Sequence, residues 1–506
     1  MKLFTASQIR AWDQFTIANK HDSSSELMEV AAEACFGYIK EMEHAVSYTI
    51  VCGVGNNGGD GLCIARMLHG DGAEVKIYIA GDSEGGSEDF KINFHRILQT
   101  EIALTFLSEK YFGIEAEPRS LIIDCLFGTG ISHPLKGWHA EFVKQINALP
   151  NRKIAIDLPS GLIPDLTSAQ SGVILKSDRT LTFQIPKRAM LFEENQQFVG
   201  DFEVLSIGLS QSFEMNEACE ILYYDELNAA ADFRLRKKFD HKNLHGHALI
   251  ISGSKGMMGA ALLSSSAAMR TGAGLVTAVV PKCGTDIIQA AVPEVMCIED
   301  EGINCLSNAD IDNKYDAIAI GPGIGEAPET ALMLRKFLKY VKAPMVIDAD
   351  ALNIIAHKKF HAHIPAGSIL TPHVGEFDRL FGKHDDSFAR FQTLQEKAVA
   401  MNCVIVLKGA HSTIAFPDGS IVFNSSGNPG MAKAGSGDVL TGMITSFLAQ
   451  GYSPHVAARL GVFVHGIAGD IAAETRSETG MVARDIIEAI AEALSELEAK
   501  KQMLKW

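Results

Sequence analysis

Residues 51–68 read VCGVGNNGGDGLCIARML, and the reading of this stretch decides the fold of the first half of the chain. Gly53, Gly55 and Gly58 have the G-x-G-x-x-G spacing. An apolar run precedes them and a helix-like one follows, which is the strand–turn–helix setting of a dinucleotide-binding turn. A phosphate cradle needs little beyond glycine. Here Asn56, Asn57 and Asp60 stand among five glycines, so more than phosphate cradling is asked of the loop.

Outward from this loop, YTIVCGV (48–54) predicts a strand, 62–68 an amphipathic helix and AEVKIYIA (73–80) the next strand. That alternation belongs to a parallel sheet and places the chain in the α/β class. LIIDCLF (121–127) and KIAIDLP (153–159) are further strands, each ending in an aspartate and a turn. Ligands of open α/β sheets sit at the carboxyl ends of the strands, so Asp124 and Asp157 are expected on the same rim as the opening loop. Near 210–245 the pattern gives way to the charged stretch FRLRKKFDHKNLHGH. A boundary is expected just before it, near Tyr223 to Asp225, giving domains 1–222 and 223–506. The second half repeats strand and turn at ALIISGS, YDAIAIGPGIG, PMVIDADALN, SILTPHVGEF and CVIVLKGAHS, then a glycine-rich passage and a helical C-terminus.

At 506 residues the chain exceeds one compact core. The 45 basic against 61 acidic residues leave a formal charge of −16, which argues against a nucleic-acid footprint. A small anion bound by backbone amides stays open. Nine scattered cysteines form no C-x-x-C pair and read as buried thiols of a reducing compartment. With no signal-peptide core and no run of about 18 apolar residues, the expectation is a soluble cytoplasmic protein without membrane partners.

Three polar turns follow apolar strands in the first half: GNNGGDG (55–61), DCLFGTGISHP (124–134) and DLPSGL (157–162). Gly128, Thr129 and Gly130 read as a second phosphate-gripping turn. Asn57, Asp124 and Ser160 offer only oxygen ligands, the set a hard, weakly held cation takes. The plainer alternative is that Asp124 and Asp157 cap turns. In order and spacing, GVGNNGGDGLCIARML, DCLFGTGISHPLKG and IDLPSGL resemble the YjeF N-terminal domain family, epimerases of hydrated nicotinamide nucleotides. LMEVAAEA resembles that family's Met-Glu-x-Ala-Gly helix, with Ala32 where glycine is usual. The resemblance covers residues 9–210. It implies that Asn56, Asn57, Gly58, Gly59 and Asp60, with Gly128, Thr129, Gly130, Ile131, Ser132, His133 and Pro134, hold the nucleotide. Asp157 would face the reactive ring as general acid/base, and Asn57, Asp124 and Ser160 would bind potassium. The dinucleotide is then substrate, not redox cofactor.

In SGNPGMAKAGSGDVLTGMITSFLAQG (426–451), GSGD precedes a helical apolar face, so Asp438 and the amides of residues 435–437 are expected at a helix N-terminus that favours phosphate. An ordinary helix start with Asp438 as cap explains the same four residues. VLKGAHSTIAFPDG brings Lys408, and TPHVGEF brings His373 and Glu376, to strand ends; a lone histidine is more often a satisfied core residue. Together with ISGSKGMMGAALLSSSAAMRTGAGLV, IGPGIG and DADALN, these stretches resemble the YjeF C-terminal domain, a ribokinase-like dehydratase of the same hydrates, over residues 225–500.

That second resemblance implies that Ala260, Gly323 and His373 contact the hydrated substrate, and that Lys408, Gly409, Ala410, His411, Ser412 and Gly437 hold an adenosine nucleotide. Asp438 would be the base at the reacting hydroxyl, with magnesium assisting. The combined expectation is a Rossmann-like α/β sandwich followed by a ribokinase-like α/β domain, repairing NADHX and NADPHX with ADP as co-substrate, in a homo-oligomer. The rival is a ribokinase-like kinase of a vitamin precursor with an accessory nucleotide-binding domain, because fold alone does not settle substrate.

Overall fold

The computed structural model describes residues 1–20, 23–308 and 314–504. Two compact units emerge: one of Lys2–Cys219 with Asp386–Phe388, the other of Glu220–Asp385 and the chain from Ala389 onward, with Met1.

The first unit is built on a seven-stranded, all-parallel sheet. From edge to edge its strands are Ala103–Leu107, Glu74–Ala80, Ser47–Cys52, Leu121–Cys125, Lys153–Ile156, Arg179–Phe183 and Asp201–Leu205. All residues of Ser47–Cys52 and Leu121–Cys125 are buried, as expected for central parallel strands covered on both faces. The chain order reverses between these two strands, and Val51 pairs with Asp124 and Asp124 with Ala155. Asp124 therefore lies at the carboxyl end of a strand beside the switch point, where open α/β sheets leave a crevice.

The glycine-rich loop is not a loop. The helix begins at Asn56, with Gly55 as its N-cap, and runs to Gly70. Its residues from Gly58 to Ala65 are all buried, not half exposed as an amphipathic helix over 62–68 would be. The glycines serve packing. A methyl on Gly58 would lie 1.8 Å from the Gly53 carbonyl oxygen, and one on Gly61 would lie 2.8 Å from both Cys125 Sγ and Cys52 Sγ. The helix thus rests directly on the two central strands.

The second unit carries a ten-stranded sheet in the order Met296–Glu299, Leu275–Val280, His247–Ile251, Ala317–Ile320, Met345–Ile347, Ile369–Leu370, Val404–Leu407, Thr413–Ala415, Ile421–Asn424 and Ile221–Tyr224. Only Thr413–Ala415 runs antiparallel to its neighbours. Ile221–Tyr224 already belongs to this sheet, paired with Ile421–Asn424. Helix Pro454–Arg476 is long and apolar enough in composition to cross a bilayer, yet 67% of its most apolar stretch is buried inside the protein. Its apolar residues belong to the core.

Helices Met258–Arg270 and Ser436–Ala449 approach closely because Gly442 has no side chain: a methyl there would lie 2.1 Å from the Ser264 carbonyl oxygen. Backbone cannot yield as a side-chain tip does. Gly442→Ala is expected to destabilise the second unit by about 1–3 kcal/mol or more, read from thermal or urea unfolding. A change below about 0.5 kcal/mol, the scale of surface substitutions, would contradict the contact.

Candidate active sites

In the first unit the turns after Leu121–Cys125 and Lys153–Ile156 are laced together by Asp124. Its carboxylate, fully buried, accepts the Ser160 amide at 2.8 Å, the Ser160 hydroxyl at 2.7 Å and the Leu126 amide at 3.2 Å. Ser160 Oγ in turn accepts the Phe127 amide at 2.9 Å. Burial pushes the Asp124 carboxyl up to about 6, with the Ser160 hydrogen bonds working against the rise.

Asp157 sits in the left-handed region, at φ 66°, a conformation a non-glycine side chain keeps only when its surroundings enforce it. The enforcement is visible. Its Oδ2 accepts the Thr129 amide at 3.1 Å, and its Oδ1 lies 2.5 Å from Lys187 Nζ. Lys187 is 2% exposed and also donates to Thr182 Oγ1 at 2.7 Å and the Phe183 carbonyl at 3.2 Å. A methyl on Gly128 would lie 3.0 Å from Asp157 Oδ2 and 3.3 Å from Asn57 Cγ. The bare glycine is what allows Asn57 and Asp157 to come together. Asn57 presents two buried side-chain atoms, Nδ2 and Oδ1, that have no hydrogen-bond partner. Such atoms call for a ligand, water or ion.

Of the other residues expected here, Asn56 is exposed at the helix start, whereas Gly58 and Gly59 are buried against Gly53 and Met28. Asp60 is buried, and its carboxyl is driven well above the carboxylate range by that burial and by Asp157, Asp13 and Asp89. Gly130, Ser132, His133 and Pro134 are exposed and Ile131 half-buried, with the Ile131 amide donating to the Gly128 carbonyl at 3.2 Å. Two further groups join the site. Lys187 stands just past strand Arg179–Phe183, so the strand-end rule that flagged Asp124 and Asp157 would have found it. Asp13, on helix Ala6–Lys20, is raised to about 7 by burial and by Asp157, with Lys187 opposing; no sequence motif marks it.

In the second unit Asp348 follows strand Met345–Ile347, buried at 1% exposure. It accepts Lys408 Nζ at 2.8 Å and the Thr441 hydroxyl at 2.6 Å. Lys408 follows Val404–Leu407 and lies 3.9 Å from Glu376 Oε2. Burial works against its charge, but Asp348 and Glu376 prevail and raise its basicity. His373 caps helix Val374–Phe381: its Nδ1 accepts the Gly375 amide at 2.9 Å and its own amide donates to Glu376 Oε2 at 2.8 Å. Its ring remains 54% exposed, so the buried-histidine reading does not hold.

Gly435, at φ 93°, turns the chain into helix Ser436–Ala449, and Asp438 lies in the first turn. A methyl on Gly437 would lie 3.4 Å from Lys408 Nζ, so the GSGD turn faces the Asp348–Lys408 pair. Burial and Asp348 lift the Asp438 carboxyl to about 7, Lys408 pulling the other way. Asp350, which also acts on Asp438, accepts the Gly325 amide at 2.8 Å. Gly323 abuts Ala260, with a methyl on it 2.9 Å from the Ala260 Cβ. Gly409 and Ser412 close a turn by mutual hydrogen bonds at 3.3 and 3.1 Å, Ala410 is exposed between them, and His411 Nδ1 meets the Asn424 carbonyl at 3.2 Å. Asp348 and Thr441 were not foreseen, because the partners that give them meaning lie 60 and 93 residues away.

The family model described as YjeF-related protein N-terminus matches residues 24–189, and that described as NAD(P)H-hydrate dehydratase matches residues 248–492. Over nearly their whole lengths, proteins called bifunctional NAD(P)H-hydrate repair enzyme are similar: 33% identical in Thermofilum pendens (98% of this chain, 97% of the relative) and 34% in Moorella thermoacetica (100% and 98%). The Escherichia coli relative is 32% identical over 92% and 88%. The chain belongs to the bifunctional NAD(P)H-hydrate repair enzyme family. Within that family the two constellations fall one in each matched region, the first on Asp124, Asp157 and Lys187, the second on Asp348, Lys408 and Asp438.

Removing Lys187 would leave Asp157 buried beside two other carboxyls without its cation. Lys187→Met is expected to cost the first unit about 3–5 kcal/mol, the range for breaking one partner of a buried pair, read from urea unfolding at pH 7. A loss within 1 kcal/mol would mean the pair is far more solvated than its geometry states.

Proposed function

We propose that the first unit, within 1–222, interconverts the R and S hydrates of NADH and NADPH, and that the second, within 223–506, dehydrates the S form with ADP, releasing AMP and phosphate. The observation that carries the reading is the pairing, in one chain, of two carboxylate–lysine sites with the two matched family regions. A sugar or vitamin kinase has no use for the first site.

In the first site, epimerisation at the carbon that bears the hydroxyl beside the ring nitrogen needs proton movement, not a hydride acceptor. Asp157, fixed by Thr129 and Lys187, is placed for it. The exposed Asn56 and the 128–134 turn are the surfaces open to the dinucleotide. Potassium fits beside them, because the buried, unpartnered Asn57 carboxamide and the Asp124 and Ser160 oxygens are hard donors. The ion would supply a fixed positive charge for the substrate's phosphates.

In the second site Ala260, Gly323 and His373 would receive the hydrated ring, while Lys408, the 409–412 turn and Gly437 would hold ADP. Asp438 takes the proton of the ring hydroxyl as that oxygen bonds to the terminal phosphorus and AMP leaves. Hydroxide leaves carbon poorly and phosphate leaves well. Departure of phosphate with loss of the neighbouring ring proton then restores the dihydronicotinamide. A carboxyl poised at about 7 is matched to this duty near neutral pH. Magnesium would come with the nucleotide phosphates, taking carboxylate oxygens of the kind Glu376 offers, and would neutralise charge on the transferred group. Nine free cysteines support a reducing, cytoplasmic setting. Apolar side chains exposed on edge strands, Phe106 on one sheet and Met296 and Ile298 on the other, support self-association.

The direct assay follows the return of dihydronicotinamide absorbance from mixed R and S hydrates with ADP, ATP or neither. Full conversion with ADP is expected; no return with either nucleotide would overturn the reading. Asp438→Asn is expected to lower dehydration on the order of 10²–10⁴-fold while ADP binding, followed by calorimetry, persists. Stability should move the other way. Because the folded carboxyl titrates at about 7, above the unfolded value, stability present in acid is lost as pH rises through 7. The variant should therefore melt higher than the parent at pH 8 and equally at pH 4, and near-parent turnover would leave Asp438 no part in the chemistry.

A further inference from the structure

Asp348 and Lys408 do not stand on neighbouring strands. Strand Ile369–Leu370 pairs with Met345–Ile347 on one side and with Val404–Leu407 on the other, so the strands that carry the two residues run about 9–10 Å apart. The Lys408 backbone keeps to its own place in the sheet, its amide donating to the Pro372 carbonyl at 2.9 Å. The side chain crosses to Asp348 Oδ1 at 2.8 Å. The other oxygen of Asp348, Oδ2, is taken from a third element: it accepts the hydroxyl of Thr441, on helix Ser436–Ala449, at 2.6 Å. A hydroxyl within a helix can satisfy itself on the carbonyl four residues back. Thr445, one turn along the same helix, does so on Thr441 at 2.6 Å, and Ser264 does so on Ala260 at 2.8 Å. Thr441 instead donates outward, and the carboxylate that receives it is 1% exposed. One buried aspartate thus staples a strand end, a distant lysine and the helix that begins at GSGD.

We propose that Thr441 and Asp348 are positioning residues of the second site, which hold Lys408 and Asp438 in one fixed register for phosphoryl transfer. The inference rests on the dehydratase reading above and says how that site is held together. Thr441 and Asp438 are three residues apart on one helix and share a face, so the bond from Thr441 to Asp348 fixes the rotation of the helix at the turn that carries Asp438. With Oδ2 committed to Thr441, Oδ1 has one direction from which to hold the lysine. Among the described residues the Lys408 ammonium makes a single hydrogen bond, to that oxygen, with Glu376 Oε2 at 3.9 Å as a second charge. An ammonium has three donors. Two are therefore uncommitted where Lys408 faces Gly437, a methyl on which would lie 3.4 Å from Nζ, and they are the donors left for the nucleotide's phosphates. Without the Thr441 hydroxyl, Asp348 is free to turn, and lysine and helix lose their common reference. A misplacement of about 1 Å between reacting groups is enough to cost on the order of 10² in rate.

The test uses the full-length protein with pure S hydrate of NADH and ADP, following the return of dihydronicotinamide absorbance, and calorimetry of ADP on the same preparations. Thr441→Val removes the hydroxyl at nearly constant volume, Thr441→Ala removes it with no risk of overpacking, and Thr441→Ser keeps it. Valine and alanine are each expected to lower kcat on the order of 10²-fold, with KM for the S hydrate and ADP binding kept. Serine is expected to recover the rate. A wild type that returns no absorbance overturns the dehydratase reading itself, which is a separate failure. With an active wild type, the positioning role is overturned by valine and alanine variants that turn over like the parent, by a rise in KM without a fall in kcat, by a serine variant as slow as valine, or by valine and alanine variants that bind no ADP, since Thr441 would then serve the fold alone.

Discussion

Each unit depends on one lysine held against one buried aspartate at the carboxyl edge of its parallel strands: the buried Lys187 on Asp157 at 2.5 Å, the half-buried Lys408 on Asp348 at 2.8 Å. Taking both charges out of water is costly unless hydrogen bonds complete the shell, and here they do. Thr129 and Thr182 complete the first pair, Thr441 the second. The consequence reaches the backbone. Asp157 adopts a left-handed conformation to meet its partners, and Gly128 is bare where a methyl would lie 3.0 Å from Asp157 Oδ2.

Beside each pair lies an aspartate that lacks a lysine of its own. Asp13 and Asp438 are both lifted to about 7, chiefly by burial and then by the paired aspartate next to them. The paired carboxylate is fixed in position by its lysine, whereas the unpaired one has no such partner. In the proposed scheme Asp438 uses this position to activate a hydroxyl toward phosphorus. In that scheme function is coupled to stability, because Asp438 is a carboxyl whose ionisation burial opposes.

Much of this was legible in the residues. Apolar strands ending in aspartate placed Asp124 and Asp157 correctly on one rim, and GSGD before a helical face located Asp438. What failed was local. GNNGGDG read as a loop because glycine and asparagine disfavour helix interiors, whereas the helix begins at Asn56; the glycines answer to Gly53, Met28, Cys52 and Cys125, contacts that tertiary packing alone creates. Asp348, quoted within DADALN, acquired its meaning only from Lys408. Charge pairs between distant segments leave no periodicity to read.

The measurement that tests the shared device most directly is a carboxyl-carbon NMR titration of the full-length protein labelled with carbon-13 at the aspartate side chains, from pH 4 to 9. Two resonances should titrate near 7, one absent in Asp13→Asn and the other in Asp438→Asn. If both carboxyls instead titrate near 4, as exposed aspartates do, neither site holds a neutral acid at physiological pH and the account fails.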